Sequence, residues 1–379
     1  MKIPLAQPFF DEREVAAVEP VIRSGWVSLG PKTAEFERRI ADWIGVDHAV
    51  AVNSCTSAMQ ISLHLSGIGP GDEVVCPSFT CMATANAILQ VGARPRFVEI
   101  DPATFNMDPA AVAAAITGST KAIMVVHQIG LPADLDALTA IAGRSAVRII
   151  EDAGCALGAV YRDHRVGSSG APVCFSFHPR KTITTGEGGV LTTTDAEFAE
   201  HARAYRSHGA SVSTLERHQS GGLLYGSYPD IGHNFRFTDI QAAIGLVQMD
   251  KIDDILERKA RVARRYTEAL SQLEHVSAPV VPPQLVHAWQ SYLVTLSKEC
   301  PVDRDAVIAD MARHQIACFR GIAPLHLEPY FVRRLGPSRF PVTEDVYNRT
   351  VFLPIYAAMS AGDIEHVMTT FAGAIRGRR

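Results

Sequence analysis

The chain has 379 residues, 47% hydrophobic and 20% charged, enough to bury a large core and to divide into two units. Its formal charge of −4 offers no basic surface to nucleic acid, and no run of about 18 apolar residues is present to span a membrane. The seven cysteines are odd in number and form no C-x-x-C pair, which speaks against a disulfide framework and against a zinc site.

The opening MKIPLAQPFF lacks a basic region followed by a long apolar stretch, so it does not read as a secretory signal, and a cytoplasmic location is expected. Asp11 and Glu14 open a first helix in the manner of a capping box. A second helix is predicted near Thr33 to Ile44, with Phe36, Ile40, Trp43 and Ile44 on one face. HAVAV (48–52) is strand-like and leads into a helix from about Ser57. EVVCP (73–77) precedes a helix over about 80–91. PRFVEI (95–100), KAIMVV (121–126), VRIIED (147–152), VCFSF (173–177) and GGVLTTT (188–194) are further strands. Apolar strands alternating with helices predict a mostly parallel sheet covered on both faces.

A long helical region is expected over about 239–273, followed by a connector at APVVPP (278–283). SYLVTL (291–296), a helix near 303–314, a strand at LPIY (353–356) and a last helix from about Ala361 make a small α/β unit. The boundary is placed near 270, giving units 1–270 and 271–379. The terminal run Arg376-Gly377-Arg378-Arg379 reads as a solvated helix end.

Three segments carry chemistry. In Asn53-Ser54-Cys55-Thr56-Ser57 a strand delivers a polar turn into a helix N-terminus, a place suited to a phosphate and equally to a simple cap. Asp152 ends a buried strand, where α/β sheets bind ligands, and a metal ligand or a turn Asp would look alike. Lys181 follows a strand broken by Pro179 and precedes glycines 186, 188 and 189. That setting predicts a buried amine whose pKa is lowered for imine chemistry, whereas an isolated loop lysine would be solvated.

Together these segments resemble the nucleotide-sugar aminotransferases of the DegT/StrS type. The resemblance rests on SFHPRKTITTGEGG, IEDAGCALGA and NSCTSAM, with SGWVSLGPKTAEFE, PSFTCMATANAI, HQIGLPADLDAL and HNFRFTDIQAAIG in the same order, and so spans the chain. It implies a pyridoxal 5′-phosphate (PLP) enzyme with the aspartate aminotransferase fold (fold type I). That fold has a large domain with a mixed seven-stranded sheet and an N-terminal arm, and a small C-terminal α/β domain. Lys181 would form the Schiff base and shuttle the proton, and Asp152 would pair with the pyridine nitrogen. Thr56, Ser57 and Ser176 would hold the phosphate. Asn234 would reach the phosphate of a partner's site from a crossing loop, making an obligate homodimer, and Arg236 would bind a substrate carboxylate or other anion. His326 would line the acceptor pocket.

Three positions depart from the commonest family pattern. Cys81 stands where an aromatic residue often stacks on the cofactor, and Cys155 where Gln or His often contacts its 3-hydroxyl. Cys55 stands in place of a small residue. As free cysteines they read as small buried residues rather than redox centres. The implied reaction is transfer of the amino group of L-glutamate to a keto-sugar, foremost a nucleotide-linked 4-keto-6-deoxyhexose as in perosamine synthesis. A cyclitol or other carbohydrate ketone is an alternative. A sugar dehydratase of the same fold is another, although those replace the Schiff-base lysine by histidine. A non-enzymatic regulator is disfavoured by the intact lysine, aspartate and phosphate turn.

Overall fold

The protein's structure is a computed structural model that describes residues 3–212, 216–217, 220–221 and 223–377; Arg378 and Arg379 of the basic tail lie outside the described residues. In chain order the first elements are α1 (Glu12–Ser24), α2 (Pro31–Ile44), β1 (His48–Val52), α3 (Cys55–Leu65), β2 (Glu73–Pro77), α4 (Met82–Gln90) and β3 (Arg94–Val98). Then come α5 (Pro109–Ala115), β4 (Thr120–Val126), α6 (Leu135–Ser145), β5 (Arg148–Asp152), β6 (Val160–Tyr161), β7 (His164–Arg165), β8 (Val173–Ser176), β9 (Gly189–Thr193) and α7 (Ala196–Tyr205). These are followed by α8 (Asp239–Asp250), α9 (Ile252–Leu270), β10 (Val276–Ser277), β11 (Leu285–Val286), β12 (Tyr292–Leu296) and α10 (Arg304–Arg313). The last are β13 (Phe319–Arg320), α11 (Pro329–Leu335), α12 (Pro341–Arg349), β14 (Thr350–Leu353) and α13 (Ala361–Ile375).

The large sheet has seven strands in the order β1-β9-β8-β5-β4-β2-β3. Its interior pairs run parallel, and β9 pairs antiparallel with both β8 and β1. Every residue of β9 is buried, and nearly every one of β1 and β4, because helices cover both faces. Phe36 of α2, Phe177 after β8 and Phe237 before α8 lock three distant segments together, with ring centroids 5.3 Å and 5.6 Å from Phe36. A second sheet, β10-β12-β14-β13, carries the small C-terminal unit.

Three differences from the sequence expectation have physical causes. The long helix is broken at Lys251, whose Nζ lies 2.6 Å from Glu14 and 3.0 Å from Asp11, so the backbone turns to bring that ammonium onto α1. α9 then serves both units: Ile252 and Ile255 pack in the large core, Val262, Tyr266 and Leu270 in the small one. The last strand is Thr350–Leu353 rather than 353–356, because Pro354 has no N–H to continue the ladder. The chain start also belongs to the small unit, with Ile3 paired to Ile316 and the Ile355 N–H donating to Leu5 O.

Candidate active site

Strand β5 delivers Asp152 to the carboxyl edge of the large sheet, where parallel strands leave room for ligands. Asp152 is only 8% exposed. Thr84 Oγ1 of α4 donates to its Oδ2 at 2.7 Å, and the Gly154 N–H donates to its Oδ1 at 3.1 Å. Thr84 Oγ1 is in turn 2.9 Å from Thr80 Oγ1. These bonds fix the carboxylate's orientation before any ligand arrives.

Between β1 and α3 the chain turns at Ser54, whose Oγ accepts the Ser57 N–H at 3.1 Å as the helix cap. The Ser57 hydroxyl donates to Asn53 Oδ1 at 2.7 Å, so it is committed to the turn itself. The Cys55 and Thr56 amides have no acceptor among the described residues and stand at the positive end of the helix. β9 passes directly beneath: a Cβ on Gly189 would lie 2.5 Å from Cys55 N and from Ser54 C. Only glycine lets the strand approach the turn so closely.

Lys181 sits in the loop from β8 to β9. Phe177 N–H donates to Gly188 O at 2.9 Å, Thr184 Oγ1 to Phe177 O at 2.7 Å, and Lys181 N–H to His178 O at 2.9 Å. The loop is thus closed at its base, and the lysine points inward. Its Nζ is 3.2 Å from Cys155 Sγ. Burial by itself lowers the amine, but the charge of Cys155 and its hydrogen bond, with Cys55 and Asp152 behind, outweigh burial and hold Lys181 above its ordinary value. The expected lowering therefore does not appear in the free amine, because sulfur and carboxylate surround it. Neighbouring His178 is shifted below its ordinary value, mainly by burial.

These parts enclose a cavity of about 700 Å³. Thr56, Cys81, Asp152, Cys155, Ser176 and Lys181 line it, as do Ser54, His178 and, from the small unit, Phe319 and Arg320. Arg320 is already engaged, its Nη2 2.7 Å and its Nε 3.0 Å from the Asp305 carboxylate. Four residues singled out in the sequence do not line the cavity. Ser57 is turned into the cap. Asn234 is exposed on a segment that pairs with Ser207, and Arg236 pairs through its backbone with Val52. His326 is 2% exposed and held with Nδ1 2.7 Å from Ser78 Oγ and Nε2 3.3 Å from Glu344. It therefore stands behind the wall to which its neighbour Leu325 contributes.

The cysteines differ from the expectation of uniform burial. All three line the cavity, yet Cys55 is buried, Cys81 exposed and Cys155 partly exposed. Thr84, the hydroxyl that orients Asp152, was not singled out in the sequence. Its signal was weak, since a threonine in an Ala-rich helix reads as packing. His287 stacks on Trp289 with centroids 4.0 Å apart.

A model of the DegT/DnrJ/EryC1/StrS aminotransferase family matches residues 8–372. The chain belongs to that family. It is 37% identical over 99% of its length to the spore coat polysaccharide biosynthesis protein SpsC of Bacillus subtilis, covering 97% of that protein. Among solved structures, the aminotransferase TlmJ from Streptoalloteichus hindustanus superposes with a TM-score of 0.91 at 32% identity, with 99% of each chain covered. Spr1654 from Streptococcus pneumoniae, solved in its PLP form, superposes with a TM-score of 0.92 at 27% identity, again over 99% of each chain. The chain is thus a PLP-dependent sugar aminotransferase of fold type I.

The residues present fit that cofactor. An inward amine, a preset carboxylate at a strand end, and a helix N-terminus with unpaired amides beside Ser176 surround one cavity of suitable size.

Proposed function

We propose that this enzyme transfers the amino group of L-glutamate to the ketone of a nucleotide-linked 4-keto-6-deoxyhexose, as a perosamine synthase does. The observation that carries the reading is the convergence of Lys181 and Asp152 on a cavity of about 700 Å³, large enough for a cofactor with a sugar beside it. The likeness over nearly the whole chain to a protein of polysaccharide biosynthesis supports a sugar acceptor.

When bound, the cofactor supplies an electron sink for the carbon that loses its proton. Lys181 Nζ takes that proton from the donor carbon and, in the second half-reaction, delivers one to the former ketone carbon. Asp152 would pair with the pyridine nitrogen and keep it protonated, with Thr84 fixing the carboxylate. The α3 N-terminus, Thr56 and Ser176 would bind the phosphate, while Ser57, whose N–H and hydroxyl are both engaged within the turn, would only shape it. Cys81 and Cys155 would line the cofactor's pocket. In a homodimer, Asn234 and Arg236 serve the partner's site, which accounts for their standing outside the cavity of their own chain. His326 braces the acceptor wall. All seven cysteines are free, in keeping with a reducing cytoplasm.

The test separates the two half-reactions. Purified enzyme with PLP and L-glutamate should release one 2-oxoglutarate per site and then aminate a nucleoside-diphosphate 4-keto-6-deoxyhexose, read by mass spectrometry. Lys181→Ala should lose at least roughly 10³-fold in rate. Release of 2-oxoglutarate followed by amination of a cyclitol ketone, and not of the nucleotide sugar, would refute the acceptor. No release at all would refute the donor.

A further inference from the structure

Cys155 and Lys181 form a pair that the transamination chemistry does not require. The two residues lie 26 positions apart in sequence, yet Cys155 Sγ accepts from Lys181 Nζ at 3.2 Å. Both line the same open cavity, so a small oxidant that enters it meets the sulfur and the amine together. A thiolate is the form of cysteine that peroxides attack, and neighbouring ammonium groups favour it. Of the other two thiols that line the cavity, Cys55 is buried and Cys81 is more exposed, and among the described residues no hydrogen bond joins Cys81 to Lys181.

We propose that Cys155 and Lys181 form a reversible, peroxide-driven sulfur–nitrogen crosslink that closes the active site whenever the lysine is free of cofactor. In the first step the thiolate attacks one oxygen of hydrogen peroxide and the O–O bond breaks. Sulfur becomes a sulfenic acid, and the departing hydroxide takes a proton from the Lys181 ammonium to leave as water. The amine left by this proton transfer stays beside the oxidised sulfur. In the second step that amine attacks sulfur, the S–O bond breaks, and a second water leaves. The thiol, the amine and one peroxide thus become one S–N bond and two waters, with sulfur oxidised and peroxide reduced. A thiol reductant reverses the bond by attack on sulfur, returning Lys181 as the amine. The consequence rests on Lys181 being the cofactor's lysine: a crosslinked lysine cannot hold PLP, and bound PLP shields the lysine from crosslinking.

The test uses the full-length chain, with and without saturating PLP, treated with a few equivalents of hydrogen peroxide. Intact mass and peptide mapping should show a Cys155–Lys181 pair lighter by two hydrogens in the cofactor-free sample. It should disappear with dithiothreitol, be absent in Cys155→Ser and persist in Cys81→Ser. Circular dichroism of Cys155→Ser confirms that the variant is folded. Cys155 recovered only as sulfinic acid, only as a disulfide with Cys55, or unmodified would overturn the proposal. A crosslink undiminished by PLP would uphold the bond and instead overturn the assignment of Lys181 to the cofactor.

Discussion

Thr84 donates its hydroxyl to Asp152 Oδ2 at 2.7 Å, and this bond ties the N-terminal part of α4 to the end of β5. The other carboxylate oxygen is held by the Gly154 N–H, so both oxygens are oriented from opposite sides. The hydrogen bond to a carboxylate is worth about 1.5–3 kcal/mol. Thr84→Val keeps the shape and removes the donor. It should lower kcat roughly tenfold to hundredfold while leaving KM for the amino donor little changed, and Thr84→Ser should restore most of the loss. Steady-state kinetics of the two variants decide it. A loss in Thr84→Ser with none in Thr84→Val would show that the methyl group, not the hydroxyl, matters.

Gly189 lets β9 run beneath the turn that opens α3. A Cβ there would stand 2.5 Å from the Ser54 and Cys55 backbone, and backbone cannot swing aside as a side chain can. Gly189→Ala should cost about 1–3 kcal/mol of stability. It should also weaken PLP binding, because the turn would be pushed toward the cavity. Thermal unfolding with and without PLP reads both effects. A variant that unfolds like the wild type and binds PLP as tightly would show that the turn yields freely.

Lys259 is buried in α9, and its amine is lowered to about 7, chiefly by burial. In the unfolded chain the same amine titrates near its model value of 10.5. Between these values the unfolded state binds more protons than the native one, so this residue makes stability rise with pH across that window. Below pH 7 the full cost of the buried charge is felt, and above 10.5 it is gone. Lys259→Met should therefore stabilise the protein at pH 7 by something on the order of 3 kcal/mol, with the gain shrinking toward pH 10. Urea unfolding at pH 7 and pH 9.5 measures this. A gain that is independent of pH would mean that packing alone is responsible.

Asp239 serves a helix far from itself in sequence. It accepts the N–H groups of Lys32 at 3.0 Å and Thr33 at 2.9 Å, and the Thr33 hydroxyl at 2.7 Å. α2 begins at Gly30 with no side-chain cap of its own, so this buried carboxylate from α8 supplies the cap. Asp239→Ala should destabilise the fold by about 2 kcal/mol. Asp239→Asn should cost less, since its amide oxygen still accepts. Denaturant midpoints of the two variants test the ranking, and no loss in the alanine variant would show that water caps α2 as well.

Much of this protein is determined within short stretches of its sequence. The capping box of Asp11 and Glu14, the apolar strands and the cap at Ser54 depend on neighbours only a few residues away. The ordered motifs also pointed to the family, to PLP and to an aminotransferase. Other features arise only when the chain closes on itself. Thr84 meets Asp152 across 68 residues, Asp239 caps α2 across 206, and Cys155 holds Lys181 above its ordinary value where burial alone predicted the reverse. The break at Lys251 and the withdrawal of His326 from the cavity belong to the same class. Local hydrogen bonding and side-chain periodicity are written in adjacent residues. The partner of a buried polar group is chosen by packing, which brings together residues whose spacing in the chain carries no trace of the contact.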